Sequence, residues 1–239
     1  MKQNTFQRKT AKRIKELELK YGAEDVFVVP YAQTAIINDL FVPWDAKTSP
    51  KLIYNGILPY GRFIRRADAE EDMSYEQIIP YVLVKSESNE YYVTKRIDGE
   101  QRLKNKLSLG FGGHINSCDD KHYGVQKMVY NCMNRELSEE AKMPRFYKTY
   151  EIGTVRDLNS STPDHIGIVF CAEVAEKDMK KVKVLETDKL KGSWMSLKDL
   201  IFNFESFESW AQLIIAEICT KKIIQKKSRH TPAYFSVIQ

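Results

Sequence analysis

The chain has 239 residues, of which 43% are hydrophobic and 29% are charged. A chain of this length buries roughly 70–75% of the surface that it exposes when unfolded, and its composition is that of an ordinary globular protein. Wholesale disorder, collagen and coiled coil are therefore excluded. No run approaches the ~18 apolar residues that a membrane span needs, so we expect no membrane partner.

The net charge of +5 at pH 7 is concentrated at the two ends of the chain. Residues 1–20 carry seven Lys and Arg against two Glu, and residues 221–239 carry five Lys and Arg without an acidic residue. The body between them is therefore acidic. Basic ends either contact a polyanion such as nucleic acid or stay solvated; we expect the second and keep nucleic acid as an alternative.

The cysteines and the first residues point to the same compartment. None of Cys118, Cys132, Cys171 and Cys219 belongs to a C-x-x-C pair, which predicts free thiols in a reducing environment. The N-terminus runs into Lys and Arg without the apolar core of a secretory signal. We therefore expect a cytoplasmic protein.

The predicted elements alternate without a regular strand–helix–strand pattern. A helix is expected over residues 4–20, a strand over 26–29, and short strands or an extended arm over 31–75. The remaining predictions are a hairpin over 77–85 and 90–97, strands at 107–111, 147–156, 165–174, 182–186 and 192–196, and helices over 122–142, from Ser196, and over 206–223. This order indicates an α+β fold around a mixed sheet.

The helix over 122–142 carries the strongest chemical signal. At 100° per residue, Glu136, Glu139 and Glu140 share one stripe, and that stripe continues the apolar positions Val125 and Val129. A solvated acidic face would lie opposite the apolar stripe. Carboxylates so close together repel one another, and Mg²⁺ is the hard cation that a few carboxylates and phosphate oxygens bind. The spacing therefore predicts a metal site.

These residues, together with Gly112-Gly113-His114, resemble the Nudix box, Gly-x5-Glu-x7-Arg-Glu-U-x-Glu-Glu-x-Gly-U, in which U is bulky and aliphatic. The segment from Trp194 to Leu200 is similar to one found late in many Nudix domains. The resemblance covers roughly residues 75–220 and implies an α/β/α sandwich around a mixed sheet. It implies an N-terminal helix and extension (1–75) packed on a Nudix domain (76–223), followed by a basic tail (224–239).

The chain departs from the box in two places. Gly113 and Arg135 are 22 positions apart where the family spacing is 14, which indicates an insertion of eight residues. The first box Glu has no clear counterpart, since counting from either end gives Lys127 or Asp119, and Asp120 is a further candidate. The late box Gly is Lys142, so we expect Pro144 to end the helix instead.

The resemblance implies a role for each matching residue. Glu136, Glu139 and Glu140, with the carbonyl of Gly112, would bind Mg²⁺ or Mn²⁺. Arg135 would orient a carboxylate or support the loop, and a structural ion pair is an equal alternative. The catalytic set is therefore Arg135 and the three glutamates.

Substrate contacts are predicted from the cations that approach the glycines. Arg102 and Lys106 lie nearest in sequence, and with Gly113 and His114 they form the expected substrate-binding set. The general base is left open between a helix Glu and the later residues Asp157, Asp164 and His165.

The resemblance implies a Mg²⁺-dependent hydrolase that cleaves a diphosphate linkage in a nucleoside diphosphate derivative by water attack at phosphorus. A catalytically weak nucleotide sensor and an RNA 5′-end pyrophosphohydrolase are the alternatives. The sequence does not identify the substrate. A homodimer is expected, since many family members are dimers.

Overall fold

A computed structural model describes residues 12–13, 15–45, 49–97, 106–185, 187–188, 190–221 and 234–235. The strands are β1 (Asp25–Pro30), β2 (Phe41–Pro43), β3 (Arg62–Arg65), β4 (Tyr75–Ser86), β5 (Tyr91–Arg96), β6 (Leu107–Ser108), β7 (Gly110–Gly112), β8 (Ala141–Lys142), β9 (Lys148–Arg156), β10 (His165–Val174), β11 (Lys183–Val184), β12 (Leu190–Met195) and β13 (Tyr234–Phe235).

Helices flank these strands. They are α1 (15–21), α2 (Tyr31–Thr34), α3 (Ser49–Lys51), α4 (Arg66–Ala69), α5 (Val125–Glu140), α6 (Leu197–Phe202) and α7 (Ser209–Lys221). A π-helical turn (Leu52–Ile57) and 3₁₀ turns (Leu58–Tyr60, Ser117–Asp119, Glu176–Lys181, Phe204–Ser206) join them.

Eleven strands form one mixed sheet with β4 at its centre. β4 pairs in parallel with β10 and antiparallel with β1, β5 and β7. Both central strands are rich in β-branched residues and are buried over most of their length, as strands covered on both faces are. β8 and β11 form a separate two-stranded sheet.

The sheet lies between two helical layers. α5 covers one face through Val129, Cys132 and Leu137, each at most 1% exposed. α7 covers the other face through Ile214 and Ile215. Each such buried side chain contributes roughly 1.5–3 kcal/mol. The predicted α+β class and the α/β/α sandwich around a mixed sheet are confirmed.

The N-terminal segment is more helical than its sequence indicates. Where short strands or an extended arm were expected over 31–75, the structure has helical turns and only β2 and β3. Ile53 and Ile57 of the π-helical turn belong to the same core as α5. Apolar residues at helical spacing, interrupted by Gly and Pro, had concealed these turns.

Most other elements fall where the sequence predicts them, and two boundaries differ. The strand expected at 107–111 is divided at Leu109 into β6 and β7. The helix expected to reach residue 142 ends at Glu140, because Ala141 and Lys142 turn into β8 and pair with β11. The expectation that Pro144 ends this helix is therefore wrong.

Candidate active site

The candidate site is an open cavity of about 680 Å³ beside the Gly112-Gly113 turn. Its wall combines residues of the N-terminal segment, the ends of β4 to β7, α5, the loop before β10 and the start of α7. The chemically active side chains in it are Glu24, Arg66, Glu70, Arg96, Lys106, His114, Glu136, Glu140, His165 and Glu208. This volume lies within the range of ~300–1,000 Å³ typical of small-molecule sites.

α5 brings the glutamates to the cavity. The helix begins after Gly124, whose φ of +90° suits glycine. Its buried residues Val129, Cys132 and Met133 fix its rotation about its own axis. Glu136 and Glu140 then line the cavity.

Glu139 does not share that orientation. Its side chain is 57% exposed and lies 3.4 Å from Nη1 of Arg135, and it is absent from the cavity wall. The three carboxylates predicted to act together are therefore divided, with two at the cavity and one on the Arg135 side.

Glu136 fits against the glycine turn. A Cβ atom at Gly113 would overlap the carboxylate of Glu136, so only glycine permits this approach. Burial raises the pKa of Glu136, and the neighbouring Glu139 and Asp119 raise it further, against the opposing effect of Arg135. Such a carboxylate is stabilised by any cation that enters the cavity.

Arg135 joins the helix to the loop that follows the glycines. Its Nε and Nη2 donate to the two carboxylate oxygens of Asp119, each at 2.9 Å, and Nη1 donates to Glu136 at 2.6 Å. Nη2 also donates to the carbonyl of His114 at 2.9 Å. The hydrogen bonds with Asp119 hold the pKa of Arg135 above its ordinary value. Arg135 thus both orients a carboxylate and supports the loop.

Asp119 is the partner that the sequence left undecided. It is 3% exposed and also accepts the backbone N–H of Asn116 at 2.9 Å. Asp120 instead accepts the backbone N–H of His122, and Lys127 is exposed on α5. Of the three candidates for the first box carboxylate, only Asp119 contacts Arg135 in the structure.

The oxygen atoms around Glu136 suit a hard divalent cation. Mg²⁺ is held in enzymes by one or two carboxylates together with substrate phosphate oxygens and water. Glu136, Glu140 and the Gly112 turn supply such oxygens at one wall of the cavity. Among the residues that the structure describes, no three His, Cys, Asp or Glu side chains form a complete metal site by themselves.

A hydrogen-bonded chain of two histidines and an aspartate adjoins Glu136. Nε2 of His114 lies 3.2 Å from Nε2 of His165, whose Nδ1 lies 3.0 Å from Asp164. Gln77 donates to the second oxygen of Asp164 at 2.8 Å. Burial raises the pKa of Asp164, but the hydrogen bonds from His165 and Gln77 outweigh it, and the pKa is lowered.

This chain sets the protonation of His114. Because ionised Asp164 only accepts, Nδ1 of His165 donates to it, and Nε2 of neutral His165 accepts from Nε2–H of His114. Nδ1 of His114 is then an acceptor. Burial, with the charges of Arg66 and Arg135, holds the pKa of His114 well below its ordinary value.

The third late candidate lies elsewhere. Asp157 is not part of the cavity wall, and its carboxylate accepts the backbone N–H of Asn159 at 2.9 Å. The structure therefore separates Asp157 from the pair Asp164 and His165, which sequence alone did not do.

The N-terminal segment contributes an ion-pair cluster that sequence analysis missed. Arg66 donates to both carboxylate oxygens of Glu24 at 3.0 and 3.1 Å and to Glu70 at 3.4 Å. All three residues line the cavity. Their sequence spacing carries no signal for this cluster, because β1 and α4 are brought together only by the sheet.

The predicted substrate cations are divided. Lys106 lines the cavity and donates to the carbonyl of Glu205 at 3.3 Å, and Arg96 lines the cavity with it. Arg102 lies outside the described residues. The sequence also gave no sign of Glu208, which stands at the opposite wall immediately before α7.

The comparisons with known proteins identify this architecture as the Nudix fold. The chain superimposes on Tm1382, a candidate Nudix hydrolase, with a TM-score of 0.65 and 22% identity, over 82% of this chain and 98% of that chain. DR0079 from Deinococcus radiodurans gives a TM-score of 0.45 and 10% identity, over 59% and 82%. The resemblance inferred from the box is confirmed: the chain has the fold of the Nudix hydrolases, enzymes of phosphoanhydride bonds.

The family follows from a sequence relative. Protein YmaB from Bacillus subtilis is 37% identical over 163 residues, which are 64% of this chain and 76% of that protein. The chain belongs to the same family as YmaB. No protein-family model matches the chain. Among the described helices, none combines the length and apolarity needed to cross a membrane.

Proposed function

We propose that the protein is a divalent-metal-dependent hydrolase that cleaves a diphosphate linkage in a nucleoside diphosphate derivative. The observation that carries this proposal is the seating of buried Glu136 against Gly113 in a cavity that also holds Glu140, His114 and cations. The Nudix fold supports the reaction class. Cytoplasmic location and a homodimer stay predictions.

In this proposal Glu136, Glu140 and the carbonyl of Gly112 hold Mg²⁺ or Mn²⁺. When bound, the cation polarises a phosphoryl oxygen, neutralises diphosphate charge and lowers the pKa of the attacking water. Arg135, anchored by Asp119, keeps the carboxylate of Glu136 in place. Glu139 acts through Arg135 and is not needed as a ligand.

The remaining groups orient the substrate. His114, with its tautomer fixed by His165 and Asp164, presents a hydrogen-bonding nitrogen beside Gly113. Lys106 and Arg96 offer positive charge to the diphosphate, as cations near phosphate do. Arg102 stays in the predicted substrate-binding set.

The test is product analysis with purified protein and Mg²⁺ or Mn²⁺. The substrates would be nucleoside triphosphates, ADP-ribose, NAD, dinucleoside polyphosphates, nucleotide sugars and 5′-triphosphate RNA. We expect metal-dependent cleavage of a phosphoanhydride bond that Glu136→Gln and Glu140→Gln each lower by at least about 100-fold. The exposed Ser138→Ala on the same helical turn is the matched control.

Glu139→Gln distinguishes this arrangement from three equivalent ligands. We expect it to lower kcat by about tenfold or less, because Glu139 lies outside the cavity wall. Loss as large as that of Glu136→Gln would contradict the division between Glu136 and Glu139. No cleavage of any compound, with a nucleotide still raising the melting temperature, would favour the sensor.

A further inference from the structure

The cavity has a second chemical feature on the wall formed by β4, β6 and the start of α7. The hydroxyl of Tyr81 donates to Oε1 of Glu208 at 2.7 Å, and the hydroxyl of Ser108 lies 2.6 Å from the same oxygen. All three residues line the cavity. Neither hydroxyl is needed for the chemistry proposed above.

The position of Glu208 is fixed by the backbone as well. Its N–H donates to the carbonyl of Leu107 at 2.9 Å, and Leu107 and Phe207 form an isolated β-bridge. Both hydroxyl contacts engage Oε1. Within the described part of the chain, Oε2 has no hydrogen-bond partner. One oxygen is therefore held by the protein while the other is left for a ligand.

The chemistry of Oε2 restricts what can bind it. An ionised carboxylate oxygen only accepts hydrogen bonds, and phosphate oxygens likewise accept, so a phosphate is repelled from it. Burial raises the pKa of Glu208, against the opposing effect of Ser108, Tyr81 and Arg96. A carboxylate withdrawn from water gains from a ligand that donates. The ligand group at this wall is therefore a donor.

The surface next to Glu208 fits a planar ring. The indole of Trp210 lines the cavity together with Phe207 and Leu107. Trp210 packs edge-on against Tyr81, with ring centroids 5.7 Å apart and an interplanar angle of 86°. Aromatic and apolar walls with one placed polar group are typical of sites that bind flat heterocycles.

We propose that Glu208 is a specificity-determining residue that accepts a hydrogen bond from an amino group of the nucleobase through Oε2. The proposal rests on the proposed function, because it assigns the base of that substrate to the wall opposite Glu136. Tyr81 and Ser108 are positioning residues, since they hold Oε1 and so aim Oε2 at the cavity.

The experiment measures the binding of nucleosides, which contain no diphosphate and need no metal. Adenosine with inosine, guanosine with inosine, and cytidine with uridine are pairs that differ by one amino group. Ligand-observed NMR titrations of the full-length protein would give each Kd. We expect the amino-bearing member of at least one pair to bind about 10- to 100-fold more tightly.

Glu208→Gln supplies the decisive comparison. The amide oxygen can still accept from Tyr81 and Ser108, but its –NH₂ group replaces Oε2 and donates instead of accepting. The variant should lose or reverse the preference within that pair. Ser108→Ala, which removes one donor to Oε1, should weaken the preference several-fold. The exposed Glu205→Gln, three residues away, should leave it unchanged.

The outcomes separate the two proposals. If no pair differs in the wild type, or if both folded variants Glu208→Gln and Ser108→Ala keep the wild-type preference, the role of Glu208 is overturned. Melting temperatures establish that each variant is folded. Because nucleosides lack the scissile bond, this result is independent of whether the protein cleaves diphosphates.

Discussion

The contact between Arg135 and Asp119 gives the sharpest prediction for this protein. Asp119→Asn keeps the shape of the side chain but removes its charge. One carboxylate oxygen becomes an –NH₂ group that faces a guanidinium N–H, although each oxygen now accepts from Arg135 at 2.9 Å. We expect the variant to fold with lower stability and with Glu136 less firmly held.

The magnitude follows from the burial and the remaining partners. Removing one partner of a buried ion pair costs about 3–5 kcal/mol. Arg135 keeps Glu136 and two further acceptors and is 25% exposed, so a smaller loss of about 2–3 kcal/mol is expected. For a domain of this size that loss lowers the melting temperature by about 4–12 °C.

Two measurements check this reasoning. Thermal unfolding followed by circular dichroism gives the stability, and Asp120→Asn, at the adjacent and more exposed position, should change it by less than about 0.5 kcal/mol. NMR titration of Glu136 gives its pKa, which should fall because the negative charge of Asp119 contributes to raising it. Equal melting temperatures for the two variants, or an unchanged pKa of Glu136, would refute the assignment.

Three further perturbations follow from the structure. Arg156→Met leaves the carboxylate of Glu76 buried without its partner at 2.7 Å, and chemical denaturation should show a loss of about 3–5 kcal/mol. Gly113→Ala displaces the carboxylate of Glu136, so kcat should fall at least about tenfold with little change in melting temperature. The lowered pKa of Asp164 contributes stability that is present above its unfolded pKa of about 3.9 and lost as pH falls through the folded value; Asp164→Asn should flatten that acid decline.

Each of these has a matched control. Arg145→Met removes an exposed arginine and should leave stability within about 0.5 kcal/mol. Gly56→Ala places a methyl group where the nearest atom is at 3.6 Å, so activity should be unchanged. Stability curves of wild type and Asp164→Asn that stay parallel below pH 4 would contradict the linkage argument.

The comparison of sequence and structure shows what short patterns determine. Periodicity predicted the core strands and the long helix closely, because burial on a sheet or helix face is a local property of the sequence. It placed Glu139 with Glu136 and Glu140 on one stripe, although Arg135 holds Glu139 outside the cavity. A helical wheel gives the direction of a side chain but not the ion pair that captures it.

The features that sequence missed depend on residues far apart in the chain. Glu208 is adjacent to Ser108 and Tyr81 only because β6 and the start of α7 meet at the edge of the sheet. Arg66 reaches Glu24 across the pairing of β1 with β3. Such long-range contacts leave no periodic signal, so single-sequence reasoning has no means of finding them.

The N-terminal segment has a physical role at the site that its composition did not reveal. Phe27 of β1 donates its N–H to the carbonyl of Ile115 at 2.8 Å, and Asn116 donates to the carbonyl of Asp25 at 2.6 Å. The loop after the glycines is therefore held by β1 on one side and by Arg135 on the other. A loop braced on both sides keeps the approach of Gly113 to Glu136 fixed, as a preorganised site requires. The first strand is thus part of the framework of the site.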